Sequence, residues 1–315
     1  MKPFDRLKAE IIDRGLCFGC GACAAVCPAD AIEVGDLPRL VGECTECGIC
    51  YRACPQTLRT EVPEDSVLAA FSVRAADGRV TGQDGGFVTA ALISLLEVEL
   101  IDCAVAVGSD AEWRPIAKIV RTPEDALSCS KSKYSRCPVF PVLAEACRSG
   151  HRLAFVGLPC QIRGLRFLQD RFPDGIFRRV KLTVGLFCSE AFRYEFFRDI
   201  VGLEFGIPLK NVKKFDVKGK RIICFTPDGV REIPAEMARQ YRADACGLCR
   251  DFSARYADIS VGSAGSRDGR SSVIIRSLAG MEAFEAVRSG LDVSDEVDIK
   301  KIEIMESKKH LRNLP

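Results

Sequence analysis

Cysteine is the residue type whose spacing in this chain can do chemistry. Cys17, Cys20, Cys23 and Cys27 are followed by Pro28, and Cys44, Cys47, Cys50 and Cys54 by Pro55. The second run repeats the first 27 residues further on, CFGCGACAAVCP against CTECGICYRACP. Two copies of the C-x2-C-x2-C-x3-C-P pattern predict two [4Fe–4S] clusters: three closely spaced thiolates wrap three irons of one cubane, and the fourth ligates the other. On that rule Cys17, Cys20, Cys23 and Cys54 hold one cluster, and Cys44, Cys47, Cys50 and Cys27 hold the second. Small residues at Gly19, Gly21, Ala22 and Gly48 let backbone N–H groups approach the sulfurs. A pair of zinc sites also uses C-x2-C steps, but zinc knuckles lack the third step and the trailing Cys-Pro. The chemistry expected of residues 1–60 is one-electron transfer.

Nine cysteines remain: Cys103, Cys129, Cys137, Cys147, Cys160, Cys188, Cys224, Cys246 and Cys249. Cys103 and Cys147 sit in apolar patterns and read as small core hydrophobes. Cys246-Gly-Leu-Cys249 is a metal half-site or a redox dithiol. A redox dithiol should open a helix after a strand, whereas this pair follows the polar run RADA. Cys160 follows a candidate strand at a Gly-Leu-Pro turn and Cys188 ends another, the place where an α/β sheet presents ligands. The four together have the number for a third [4Fe–4S] site, with core thiols and a dithiol as the alternatives. Two Gly/Ser segments suit a phosphorylated cofactor. Gln83-Asp84-Gly85-Gly86 runs into a helix whose first turn holds Thr89, and Gly262-Ser263-Ala264-Gly265-Ser266 follows a strand. Each is equally an ordinary tight turn. His151 and His310, the two histidines, are far apart in sequence, which argues against histidine metal sites and Cys/His or Ser/His catalysis.

These residues need elements to position them. A chain of 315 residues with 47% hydrophobic content allows about two domains. The polar connector QTLRTEVPEDS separates residues 1–60 from a second domain over 67–315. Strands are expected at Leu68–Val73, Ala104–Val107, Ile116–Val120, Leu153–Val156, Leu182–Phe187, Arg221–Phe225, Asp258–Val261 and Val273–Ile275. Helices are expected at Gly86–Leu100, Val139–Ser149, Gln161–Gln169, Tyr194–Phe205 and Gly280–Ser289. The fold class is therefore α+β with α/β character: a small bacterial-type ferredoxin domain, then a larger mixed-sheet domain. No G-x-G-x-x-G follows an early strand and there is no P-loop. The tail IKKIEIMESKKHLRNLP is expected as a basic helix with a solvated face.

Net charge is +2, which gives no electrostatic case for nucleic acid. The start of the chain carries no apolar export segment, and FVTAALISLL, from Phe87 to Leu96, is about half a membrane span. Seventeen cysteines then point to a reducing, cytoplasmic setting and to metal, with any membrane association made through a partner.

Taken together, the segments resemble the β subunits of coenzyme F420-reducing hydrogenases and coenzyme F420-linked dehydrogenases. The matching stretches are QDGGFVTAAL from Gln83, SKSKYS over Ser130–Ser135, GLPCQIRG from Gly157, VGLFCSE from Val184, CGLCRDF from Cys246 and ADISVGSAGSRDGRSSVIIR from Ala257. They cover roughly residues 67–290 in the family's order. The resemblance implies an FAD-binding fold with its own [4Fe–4S] cluster at Cys160, Cys188, Cys246 and Cys249. It also implies a flavin lined by Gln83, Asp84, Gly85, Gly86, Thr89, Lys133, Tyr134, Gly262, Ser263, Gly265 and Ser266. A substrate with a phosphodiester and a polyglutamate tail calls for a basic rim, for which Lys131, Arg136, Arg163 and Arg166 are the candidates.

The hydrogenase β chain lacks a ferredoxin module in front. The arrangement here is more similar to the electron-input component of F420H2 dehydrogenases, whose electrons pass to a membrane complex. The family's fused sulfite reductases are much longer. A reduced deazaflavin gives up a hydride and cubanes take single electrons, so a flavin is needed between them. The implied path runs from coenzyme F420 to FAD, the third cluster and the two ferredoxin clusters, with no side chain acting as a catalytic nucleophile. The alternatives are service to a hydrogenase or a formate dehydrogenase, a flavoprotein reductase acting on another substrate, and a plain ferredoxin whose second domain only docks.

Overall fold

The structure, a computed structural model, describes residues 2–58, 62–149 and 152–313. Part of the connector (59–61), His151 and the last two residues of the tail lie outside that set.

The chain opens on α1 (Pro3–Leu7), continued by a π-helical turn over Lys8–Ile12. Phe4, Leu7, Ile11 and Ile12 bury against the cysteine runs. The sequence repeat is also a structural one. Gly19 (φ 66) and Glu46 (φ 58) are left-handed at equivalent positions, and so are the N-cap glycines Gly21 (φ 87) and Gly48 (φ 73). Those caps start α2 (Ala22–Ala25) and α3 (Ile49–Arg52), with a hairpin of β1 (Ile32–Val34) and β2 (Pro38–Leu40) between them.

The second domain begins with β3 (Ala69–Ala75), α4 (Phe87–Glu97), β4 (Cys103–Ser109) and β5 (Pro115–Val120). It continues through α5 (Pro123–Ser128), α6 (Phe140–Arg148), β6 (Leu153–Gly157), α7 (Pro159–Arg171) and β7 (Val180–Leu186). A π-helix over Phe196–Glu204 leads into a three-stranded meander, β8 (Lys214–Lys218), β9 (Arg221–Thr226) and β10 (Gly229–Pro234). The chain returns with β11 (Ile259–Gly262), β12 (Ser271–Ile275), α8 (Leu278–Val287), β13 (Leu291–Ser294) and α9 (Ile299–Arg312).

One eight-stranded sheet runs in the order β13-β3-β12-β11-β7-β6-β4-β5. Its centre, β4, β6, β7 and β11, is parallel, and antiparallel strands close both sides. Parallel strands are covered on both faces, which is why β6 is buried at every residue. Along β4 the period of two sends Ala104 and Ala106 to the core under α4 and α8, and Cys103 and Val105 to the core under α6 and α7. Cys103 and Cys147 are fully buried there, as expected of small hydrophobes.

The ferredoxin module shares the second of these cores. Ala22, Ala25 and Ala53 pack in the same cluster as Phe140 and Leu143 of α6, and Phe140 N donates to the Cys20 carbonyl at 3.1 Å. A Cβ on Gly21 would lie 2.7 Å from Pro141 Cδ, so the contact needs glycine there. The expected strands and helices are present within a few residues, while the strands β1, β2, β8, β10 and β13 were not expected. The tail is the main correction. α9 is a helix, but Ile302, Glu306, Lys309 and Asn313 are buried and turn inward, so its basic residues are not all solvated.

Candidate cluster sites and flavin loops

Three sets of cysteines each line one cavity. Cys17, Cys20, Cys23 and Cys54 surround the first, and Cys27, Cys44, Cys47 and Cys50 the second, which is the crossed assignment expected from the spacing. Cys160, Cys188, Cys246 and Cys249 surround the third. Among the described residues, no three His, Cys, Asp or Glu side chains are grouped to hold a single ion.

The residues present suit cubanes. Gly19 N and Glu46 N donate to Cys17 Sγ and Cys44 Sγ, each at 3.4 Å, from the equivalent left-handed positions of the repeat. Ala191 N does the same for Cys246 Sγ at 3.4 Å. Burial, then the neighbouring Cys17 thiol, pushes Cys20 up to about 12. Burial does the same to Cys54 and Cys188, both to about 12, and raises Cys160 well above its ordinary value. A set of free thiolates in so dry a cavity is costly, and a cationic metal centre removes that cost. Cys47 differs. It is exposed, and the Ile49 N–H holds its thiol below the usual range.

The third cavity is built by the carboxyl ends of the parallel strands. Cys160 lies at the second position of α7, three residues past β6, and Cys188 lies two past β7. Leu158 N donates to Gln161 Oε1 at 2.8 Å and fixes the α7 entry, while Cys188 N donates to the Phe252 carbonyl at 2.9 Å. Cys246 and Cys249 come from a short 3-10 turn around Asp244–Gly247. The fourth wall was missed in the sequence. Lys309 of α9 lines the cavity, and its Nζ donates to the Cys188 carbonyl (2.6 Å) and the Asp251 carbonyl (2.8 Å). Burial works against its charge, but Cys188, Cys249 and Cys160 hold its pKa above the ordinary value. Asn313 Nδ2 donates to the Cys246 and Cys249 carbonyls at 2.9 and 2.5 Å.

Phe18 lines both the first and the third cavity, so one ring forms the partition between them. Arg163 stacks on that ring, 5.2 Å from its centroid, and donates to Gln56 Oε1 of the ferredoxin module. Arg136 lines the third cavity and pairs with Asp36 at 3.6 Å. Arg166 donates to Asp258 Oδ2 (3.0 Å), Thr183 Oγ1 (3.0 Å) and the Tyr256 carbonyl (3.1 Å). Of the residues expected as a basic rim, Arg136 and Arg163 reach the ferredoxin module, and Arg166 braces α7 on the sheet. Lys131 and Lys133 stay with the loop that carries Tyr134.

Of the segments expected around a flavin, the Gln83 loop and the loop that carries Tyr134 meet. The Gln83 side chain accepts from Ser132 N at 3.2 Å and donates to the Phe215 carbonyl at 2.9 Å, with Tyr134 Oη at 3.4 Å. Lys214 of β8 donates to the Gln83 carbonyl at 2.6 Å. Burial raises the Asp84 carboxyl. Gly85 N donates to Ser271 Oγ at 3.2 Å, and a Cβ on Gly85 would lie 2.1 Å from the Val73 carbonyl oxygen. Gly86 (φ 77) caps α4, and Thr89 is buried in its first turn. After β11, a Cβ on Gly262 would lie 2.1 Å from the Phe187 ring, beside Cys188. The Gly265 carbonyl accepts from Asp298 N at 2.8 Å, Ser266 Oγ meets Ser272 Oγ at 2.8 Å, and Ser266 N donates to the Ser263 carbonyl at 3.4 Å. Burial raises the Tyr134 phenol, with Asp216 and Asp84 adding to the rise. Lys133 Nζ donates to the Ser130 and Lys131 carbonyls, 5.7 Å from the Trp113 ring centroid.

Comparison with known proteins agrees with this layout. Residues 9–55 match a 4Fe-4S dicluster domain. Residues 70–144 and 150–308 match the N-terminal and C-terminal regions of the coenzyme F420 hydrogenase/dehydrogenase beta subunit. The coenzyme F420-dependent sulfite reductase of Methanocaldococcus jannaschii is 34% identical, over 93% of this chain and 49% of the relative, so the chain spans about half its length. One subunit of the F420H2 dehydrogenase of Methanosarcina mazei is 29% identical, over 91% of this chain and 87% of the relative. A chain of the F420-reducing [NiFe] hydrogenase complex from Methanosarcina barkeri superposes with a TM-score of 0.74 at 30% identity, covering 81% of this chain and 93% of that one. The protein belongs to the family of coenzyme F420 hydrogenase/dehydrogenase beta subunits, with a dicluster ferredoxin module ahead of the family's own domain.

Proposed function

We propose that this chain is the coenzyme F420-handling component of an electron-transfer complex, taking hydride on one side and delivering single electrons on the other. It is an F420-dependent oxidoreductase, as its relatives are by name. The observation that carries the proposal is the set of three cysteine-lined cavities, two of them sharing the Phe18 wall, together with the Gln83 loop that meets Tyr134. FAD, held by the loops at Gln83–Gly86, Lys133-Tyr134 and Gly262–Ser266, would convert a hydride into two single electrons, and the three cysteine sets would hold the [4Fe–4S] clusters that carry them onward.

The protein's own part is positional. The α4 N-terminus and the turn after β11 offer backbone donors to phosphates. Lys131, Lys133 and Lys214 place positive charge beside these loops for an anionic cofactor and substrate. Phe18, Arg163 and Gln56 fix the first cluster site against the third. The second site, with Cys47 exposed, faces outward and is the outlet to a partner. The ferredoxin module and the Methanosarcina mazei relative favour an F420H2 dehydrogenase as that partner, on the input side, over a hydrogenase or a formate dehydrogenase. No helix of the described residues is long and apolar enough to cross a membrane, so contact with a membrane complex would run through other polypeptides.

Anaerobic purification with cofactor extraction tests the proposal. About twelve irons, at four per cubane, and one FAD per chain are expected. A reproducible eight irons with flavin bound removes the third site, and twelve irons without any flavin removes the converter.

A further inference from the structure

We propose that Lys309 is a positioning residue of the third cysteine site, whose fixed positive charge raises the reduction potential of the cluster held there. The inference rests on the reading that Cys160, Cys188, Cys246 and Cys249 hold a cluster. Lys309 is 4% exposed and lines the same cavity as the four cysteines. Two of its three ammonium protons go to the Cys188 and Asp251 carbonyls. An ammonium held this way cannot turn out to water, so its charge stays directed at the site.

The other cation lining this cavity, Arg136, is paired with Asp36 at 3.6 Å, and Arg312 of α9 with Glu190 at 3.2 Å. Among the described residues, that leaves the Lys309 charge without a carboxylate partner of its own on the α9 wall. α9 presents its C-terminal end, which carries partial negative charge and would by itself repel an anionic centre. Lys309 in the last turn reverses that sign at the cavity. Glu306, one turn earlier, is spent elsewhere: it accepts from Phe252 N, Ser253 N and Ser253 Oγ and lies 3.8 Å from Arg255. Asn313, one turn later, ties Cys246 and Cys249 to the same helix through their carbonyls. A cubane with four thiolates is anionic and becomes more so when it gains an electron, so a nearby fixed cation favours the reduced form. Lys309 and Asn313 both lie just beyond residue 308, where the match to the family's C-terminal region ends.

The test is an EPR-monitored redox titration of the full chain, with Cys249→Ala used to assign the third-site signal by difference. Lys309→Met and Lys309→Gln should shift the one-electron reduction equilibrium of that signal at least tenfold toward the oxidised form, which is about 59 mV lower in potential. Lys309→Arg should stay within about threefold of the parent, and iron and flavin contents should be unchanged in all three. Equal potentials in the parent and a neutral variant would overturn the proposal. Loss of third-site iron in both neutral variants would overturn it too, since the residue would then serve assembly. A parent chain that holds only eight irons would instead defeat the third-cluster reading on which the proposal stands.

Discussion

Arg166 illustrates how neighbours decide what a charged side chain does. On sequence it belongs to a basic rim; in the fold it supports Asp258, which also accepts from Thr183 N at 2.8 Å and Thr183 Oγ1 at 2.7 Å. Arg166→Met should therefore lower stability by about 2–3 kcal/mol, the scale of a hydrogen-bonded charge left without its partner. Thermal unfolding would show the loss, and the KM for the hydride donor should not change. A raised KM at unchanged melting temperature would return Arg166 to the substrate. Lys133 gives a pH-dependent case. Burial lowers its pKa from 10.5 to about 8, so between those values the unfolded chain holds a proton that the folded chain has lost, and stability rises with pH. Relative to Lys133→Met, the parent's melting temperature should climb from about pH 8 to about pH 9.5, and parallel curves would contradict that sign. The ferredoxin ligands were legible because their geometry is set by local spacing. The arginines were not, because spacing along α7 does not say whether Arg163 meets Phe18 or Arg166 meets Asp258.

At the level of elements, the loop before α4 depends on a residue without a side chain. Gly85→Ala would drive a Cβ into the Val73 carbonyl and close to Ser271 N, both main-chain atoms that cannot swing aside. The substitution should cost about 3 kcal/mol and lower the bound flavin in protein that still folds, measured by calorimetry and by extraction. Full flavin occupancy at the parent's stability would show that the loop is looser than its contacts imply. The central strands were readable because parallel strands are continuous apolar runs. β10 was not, since every residue but Ile233 is exposed, although Pro227-Asp228 before it and Gly229 at its start form a turn signal that could have marked the hairpin. The inward face of α9 escaped for a similar reason. Its buried positions, 302, 306, 309 and 313, keep helical spacing but carry Glu, Lys and Asn after the first, so hydrophobic periodicity is blind to them.

At the scale of the whole molecule, the connector divides the sequence but not the core. The ferredoxin helices share a hydrophobic cluster with α6 and α7, and Phe18, Gln56 and Arg163 lock the first cysteine site to the third. The two-part organisation was visible in the repeat and the polar connector; the shared wall was not, because it joins residues more than a hundred positions apart. On the proposed function, electrons would run from the flavin loops through the third and first cysteine sites to the second, where Cys47 is exposed. Anaerobic stopped-flow mixing tests this most directly, with the flavin and iron–sulfur absorbances followed separately. Reduced coenzyme F420 should bleach the flavin first and the clusters after it, while NADH and NADPH leave both unchanged. Rapid bleaching by NADH with none by the reduced deazaflavin would contradict the assignment.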